Sequence, residues 1–229
     1  MDKTGKIIRL IAIILFGMAV AMTLLGGVGT SCVAFSNNKG FRMAFLELQD
    51  YRWLYQIFVV TTTLIGLVGI WGLIKLVRGG KNAYKYALII LLISSIITGI
   101  HFAASYVLRE GEAAPTNVVF FINLLALIVF LLFLVPGIRE NVDFSSPGGK
   151  NETHAAGGVA AIMAGSLTLT VFHWAGPSHS FTGQNWTYAF YLPLVAAGSV
   201  LILWGIVLIG RAVRSSLAPQ VKAAQLKTA

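Results

Sequence analysis

Six stretches of this chain, 7–28, 54–76, 84–108, 117–136, 155–175 and 188–210, are each apolar over about twenty residues, and nothing else in it constrains the fold as strongly. A helix needs roughly 20 such residues to cross the hydrocarbon of a bilayer. A spanning segment must also pair all of its own backbone polar groups, which a helix does. The expectation is an all-α integral membrane protein, a six-transmembrane-helix bundle forming a single transmembrane domain over 1–229. Composition agrees, because 57% hydrophobic and 11% charged residues lie well outside the mixture of a soluble domain. The fifth run, AAGGVAAIMAGSLTLTVFHWA, is rich in Gly, Ala and Thr. That is a poor lipid-facing surface, and it points to a place inside the bundle.

The net charge of +9 sorts by position. With six crossings the N-terminus, the 76–84 turn, the 137–154 loop and the segment 211–229 share one side, which holds thirteen Lys and Arg against four Asp and Glu. The other side holds four of each. The positive-inside rule makes the basic side cytoplasmic, so both termini are expected there and 211–229 reads as a basic cytoplasmic tail. An odd number of crossings would strand that tail outside. The basicity therefore reports orientation, and the partner it implies is a lipid bilayer rather than nucleic acid. The expected location is multi-pass in the plasma (inner) membrane.

Between the first two runs, the outer 29–53 loop contains KGFRMAFLELQDYRWLY, where Phe41, Phe45 and Leu48 recur at helical spacing with charges between them. An interfacial helix fits this pattern. A loop anchored by Tyr51, Trp53 and Tyr55 at the membrane surface fits it equally.

No Asp, Glu, Lys or Arg lies in the middle of any run, although coupled pumps and transporters hold charge there. P-loop, HExxH and GxSxG signatures are missing, so the usual marks of ATP hydrolysis and proteolysis are absent. Cys32 is the single cysteine, which excludes an intrachain disulfide and a cysteine metal cage. No catalytic activity of the chain's own is expected.

The remaining chemistry lies with histidine. Ser94, Thr98, His101 and Ser105 stand at i, i+4, i+7 and i+11, on one face of the third helix. Ser166, Thr170 and His173 repeat the spacing on the fifth, and an aromatic residue follows each histidine. A shift of 72 residues also aligns Ala103 with Ala175, Gly111 with Gly183 and Arg139 with Arg211. Helices three and four are thus a candidate for a parallel two-helix repeat with helices five and six. The repeat would set His101 and His173 at matched depth, the arrangement that supplies two axial iron bonds to a haem b. A quinone head-group would use the same imidazoles as hydrogen-bond partners. A competing expectation is a clasp, because Asn123 on the fourth helix lies at the depth of His101. A bond between them would lock the hairpin by roughly 0.6 kcal/mol.

Small residues mark where helices can approach: Gly157, Ala161 and Gly165; Ser95, Gly99 and Ala103; Gly66, Gly69 and Gly72. Three function classes stay open. One is a small polytopic subunit, structural or accessory, working with other membrane subunits or as a homo-oligomer. The second is a haem b or quinone-binding electron-transfer subunit using His101 and His173. The third is an uncoupled transporter or channel. The first accounts best for abundant packing rows without catalytic charge.

Overall fold

The structure, a computed structural model, describes residues 3–37, 39–146, 150–176, 180–181, 184–185, 187–188 and 191–228. Six helices carry most of the chain: α1 (Lys3–Phe35), α2 (Arg52–Arg78), α3 (Ala83–Leu108), α4 (Thr116–Leu132), α5 (Lys150–Leu169) and α6 (Tyr191–Thr228). Among the described residues, four segments are long and apolar enough to cross a membrane, namely Gly5–Phe35, Leu46–Arg78, Ala83–Leu108 and Tyr191–Ser215. Thr116–Leu132 and Thr153–Leu169 are shorter apolar helices. The chain is a helical bundle of membrane type. A minimal hairpin pairs Ser180–Phe181 with Gln184–Asn185 between α5 and α6.

Helix α1 is the hub, packing on α2, α4 and α5. Its contact with α2 follows the glycine row. A Cβ on Gly69 would lie 2.6 Å from Val20, and one on Gly72 would lie 3.3 Å from Phe16 and 2.7 Å from Ile90. Only glycine lets the α1 side chains sit this deep. Phe16, Ala19, Leu91, Ala126 and Phe130 then close an apolar core between α1, α3 and α4. The outward residues Leu64, Leu67, Ile96, Ile100, Leu125 and Ile128 are exposed, a surface suited to hydrocarbon.

Helix ends are held by long polar side chains. Arg9, buried, donates to the Leu76 and Val77 carbonyls, both at 3.4 Å, covering the last carbonyls of α2 where a cation is favoured. At the other end of the bundle, Arg52 donates to Ala34 O and Ser36 O, and Gln56 to Ala34 O.

A second unit is the α5–α6 hairpin, the most extensive helix pair in the fold. Its crossing is built on four glycines. A Cβ on Gly158 would lie 2.8 Å from the Gly205 carbonyl oxygen, and one on Gly165 would lie 2.6 Å from that of Gly198. Of the row read from sequence, Gly165 lies at the crossing, whereas Gly157 meets only the side chain of Leu208 and its neighbour Gly158 takes that place.

Several boundaries differ from the apolar runs, among them that of the fourth, where α4 ends at Leu132 and turns precede Pro136. Helix α5 starts five residues before 155 and ends at Leu169; a single turn, Val171–Trp174, follows a break at Thr170. The Thr170 hydroxyl donates back to Ser166 O at 2.8 Å, and the Thr168, Thr170 and Val171 cluster is β-branched, both of which weaken a helix locally. The 29–53 segment is no free loop: α1 runs on to Phe35, and a short helix (Lys39–Ala44) and a 3-10 turn (Leu46–Tyr51) follow. Phe45 and Leu48 are buried against Ala34, Tyr55 and Phe58, so this segment folds down over the bundle end. Finally, 211–228 continues α6 as helix.

Candidate functional site

The inward stripe of α3 builds the site. Ser94, Ser95, Thr98, His101 and Ser105 are all buried, as are Asn123 on α4 and Thr23 on α1. They fall into two groups along the bundle axis.

The deeper group centres on Asn123, 1% exposed. Its Nδ2 donates to Thr23 Oγ1 at 3.0 Å and to Val119 O at 2.9 Å, while Oδ1 accepts from Ser94 Oγ at 2.7 Å. Thr23 Oγ1 donates to Ala19 O at 2.8 Å and lies 3.2 Å from Ser94 Oγ. One residue on each of α1, α3 and α4 thus meets in a satisfied knot. Thr98 takes no part in it, because its hydroxyl donates to Ser94 O at 2.7 Å. The clasp foreseen between His101 and Asn123 is not formed. Asn123 instead meets Ser94, about two helical turns before His101 on α3, with its donors and acceptor already committed.

Nearer the end where the 3-10 turn packs, His101 meets α2. Its ring stacks on Phe58 with centroids 4.3 Å apart and planes at 22°, and Tyr55 stands edge-on at 5.7 Å. The Tyr55 hydroxyl pairs with Ser105 Oγ at 3.1 Å. His101 itself is 4% exposed, and its Nε2 has no hydrogen-bond partner. A cavity of about 40 Å³ adjoins it, bounded by Tyr55, Ser105, Arg109, Thr30 and Leu48. At about 10–15 Å³ per water this space takes a few waters. Arg109, on its rim, is paired with Glu112 at 3.0 Å and lies over the Phe45 ring.

The α5 residues go elsewhere. Ser166, Thr170 and His173 are exposed, and no ring contact or hydrogen bond joins His173 to His101. The α5–α6 hairpin packs chiefly on α1, away from the inward face of α3. The two faces that match in sequence therefore have opposite surroundings, and the paired imidazoles expected from the 72-residue shift are not brought together. The two axial ligands of a bis-histidine haem are therefore not paired in this arrangement, with His101 buried beside a cavity of about 40 Å³ and His173 exposed. Among the described residues no three His, Cys, Asp or Glu side chains gather closely enough to hold a metal ion. His154 has a buried Nδ1 without a partner, and His179 lies outside the described residues.

Tyr55 and Phe58 shape the site, and sequence reading did not pick them out as site residues. The signal was present, because extending the Gly66–Gly69 row back along α2 at helical spacing reaches Thr62, Phe58 and Tyr55, all buried. No family model, curated protein or solved structure matches this chain.

Proposed function

We propose that the chain is a small polytopic membrane subunit, structural or accessory, that crosses the bilayer six times with both termini cytoplasmic and docks on neighbouring membrane helices through α5. The observation that carries this reading is the exposed polar side chain of Ser166 near the end of α5, followed past the break by the exposed Thr170 and His173. Thr170 satisfies itself on its own backbone. The Ser166 hydroxyl and the His173 ring have no hydrogen-bond partner among the described residues. Polar side chains facing hydrocarbon gain by pairing with another helix, at about 0.6 kcal/mol for an average bond. Elsewhere in the membrane region the polar groups are mostly committed to helix contacts, and the cavities beside His101 and Asn123, about 40 and 10 Å³, have no room for a solute path.

A photocrosslinking residue placed at Ser166 in the native membrane tests the reading. A discrete protein adduct is expected, together with a particle larger than the monomer on native electrophoresis, reduced to monomer in the triple variant Ser166→Leu/Thr170→Leu/His173→Leu. Crosslinks to lipid alone, with a monomeric particle unaffected by the substitutions, would overturn it.

A second reading rests on the unpartnered Nε2 of His101 beside a small cavity that also presents Tyr55, Ser105 and Arg109. These are hydrogen-bonding groups suited to a quinol head-group, which would have to displace Phe45 and Leu48 to enter, because the cavity as it stands holds only a few waters.

A further inference from the structure

The opposite end of the bundle holds a much larger cavity, about 340 Å³, within the roughly 300–1,000 Å³ typical of small-ligand sites. It lies between the start of α3 and the segment that follows α4. The walls are held in place from both sides. Tyr84 stacks on Phe130 at 5.8 Å and on Phe144 at 5.5 Å, its hydroxyl donates to Phe130 O at 2.6 Å, and Gly80 N–H donates to Phe144 O at 3.4 Å. The 133–144 segment is thereby folded back onto the α3 start, with Phe133 and Phe144 both buried.

Three cations stand on the rim: Lys81 and Lys85 from the α3 side and Arg139 from the α4 side. None of the three is in an ion pair among the described residues. The one carboxylate in the lining, Asp143, accepts from Ser145 N–H at 2.7 Å, from Ser145 Oγ at 2.6 Å and from Ser146 Oγ. Those bonds hold its carboxyl well below the usual carboxylate range, so it stays ionised, and the lining as a whole remains positive. From the mouth, Leu134 and Val135 continue as an exposed apolar strip onto Leu131 of α4. The cavity is therefore cationic at its rim, aromatic at its base and open to the apolar flank of a membrane helix.

We propose that this cavity binds the phosphodiester head-group of an anionic glycerophospholipid, with Lys81, Lys85 and Arg139 on the phosphate and the acyl chains lying along Leu134 and Leu131. A phosphate needs convergent cations, and a basic pocket between transmembrane helices at a membrane surface is where lipid phosphates bind. Zwitterionic lipid brings its own ammonium to the same place and loses the benefit of the net positive lining. The proposal is independent of the accessory role, because it requires only that this end of α3 and α4 meets a membrane surface.

Native mass spectrometry of the full chain, released from detergent with added phosphatidylglycerol or phosphatidylcholine, tests it. Retention of one phosphatidylglycerol in preference to phosphatidylcholine is expected. In Lys81→Gln/Lys85→Gln/Arg139→Gln that preference should fall by about tenfold or more, since each surface cation is worth about a factor of five toward anionic lipid. Arg211→Gln/Arg214→Gln, which changes basic residues outside the cavity, should retain it. Circular dichroism and elution volume would confirm that both variants fold. Equal retention of the two lipids, or an equal loss in the Arg211/Arg214 variant, would overturn the site. Glycerol phosphate at millimolar concentration is expected not to displace the lipid; displacement would assign the cavity to a soluble phosphate instead and overturn the lipid reading.

Discussion

Replacing Asn123 by leucine would take two donors and an acceptor away from Thr23, Ser94 and the Val119 carbonyl at once. Each average interhelical bond in a membrane is worth about 0.6 kcal/mol, so the loss expected for Asn123→Leu is about 1–2 kcal/mol, including the hydroxyls left to find other acceptors. His101 is equally buried but has an orphaned Nε2, and a group of that kind costs stability where it stands. His101→Leu should therefore leave the thermal midpoint in detergent unchanged or raise it, while Asn123→Leu lowers it. The same melts run with a soluble quinone distinguish a ligand site from a packing site: a midpoint shift in wild type that survives Asn123→Leu and vanishes in His101→Leu supports the quinol reading. A shift retained in His101→Leu would remove it. Spacing alone placed Ser94, Thr98, His101 and Ser105 on one face, and that face is buried. What spacing does not specify is the helix across from the face, so neither the Phe58 stack on His101 nor the Thr23–Ser94–Asn123 knot could be read from it.

At the scale of helices, length and apolarity were legible because lipid demands both of any span. Glycine rows were legible for a similar reason, as close approach has no other source where hydrophobic drive between helices is missing. The end of α5 was not, because the apolar run continues through Thr170 and Val171 while the backbone breaks there through a local hydrogen bond. The α5–α6 crossing gives a sharp test of which glycines act through contact. On α6, a Cβ on Gly198 would meet Leu169 at 2.7 Å and one on Gly205 would meet the Gly158 carbonyl oxygen at 2.6 Å, whereas Gly210 on the same helix has open space. Backbone cannot yield as a flexible side chain does, so Gly205→Ala should destabilise the hairpin by about 1–3 kcal/mol, the usual scale of overpacking. Gly210→Ala should be neutral or slightly stabilising, as alanine is the better helix former. Thermal unfolding of the two variants side by side reads the difference, and equal behaviour would mean that the helices do not cross at Gly158 and Gly205.

For the whole molecule the open quantity is the number of crossings, and α5 decides it. Its 20 residues span about 30 Å at 1.5 Å per residue, but the apolar part, Thr153–Leu169, covers only about 25 Å of the roughly 30 Å of hydrocarbon. Were α5 to turn back within the membrane, α6 would run outward and carry Arg211 and Arg214 to the far side, against the charge bias of every other connection. The chain lends itself to a direct test because Cys32 is its single cysteine. In a Cys32→Ser background, Glu112→Cys between α3 and α4, Ser146→Cys before α5 and Ser215→Cys on α6 report the three connections that matter, and all three positions are exposed. Treated in intact cells with a membrane-impermeant maleimide, Glu112→Cys is expected to label, while Ser146→Cys and Ser215→Cys label only after permeabilisation. That pattern requires α4 to return the chain to the basic side and excludes a crossing by only one of α5 and α6. Labelling of Ser215→Cys in intact cells alongside Glu112→Cys would instead mean five crossings. It would also place Ser166, Thr170 and His173 in a re-entrant hairpin, where water rather than a neighbouring helix could satisfy them.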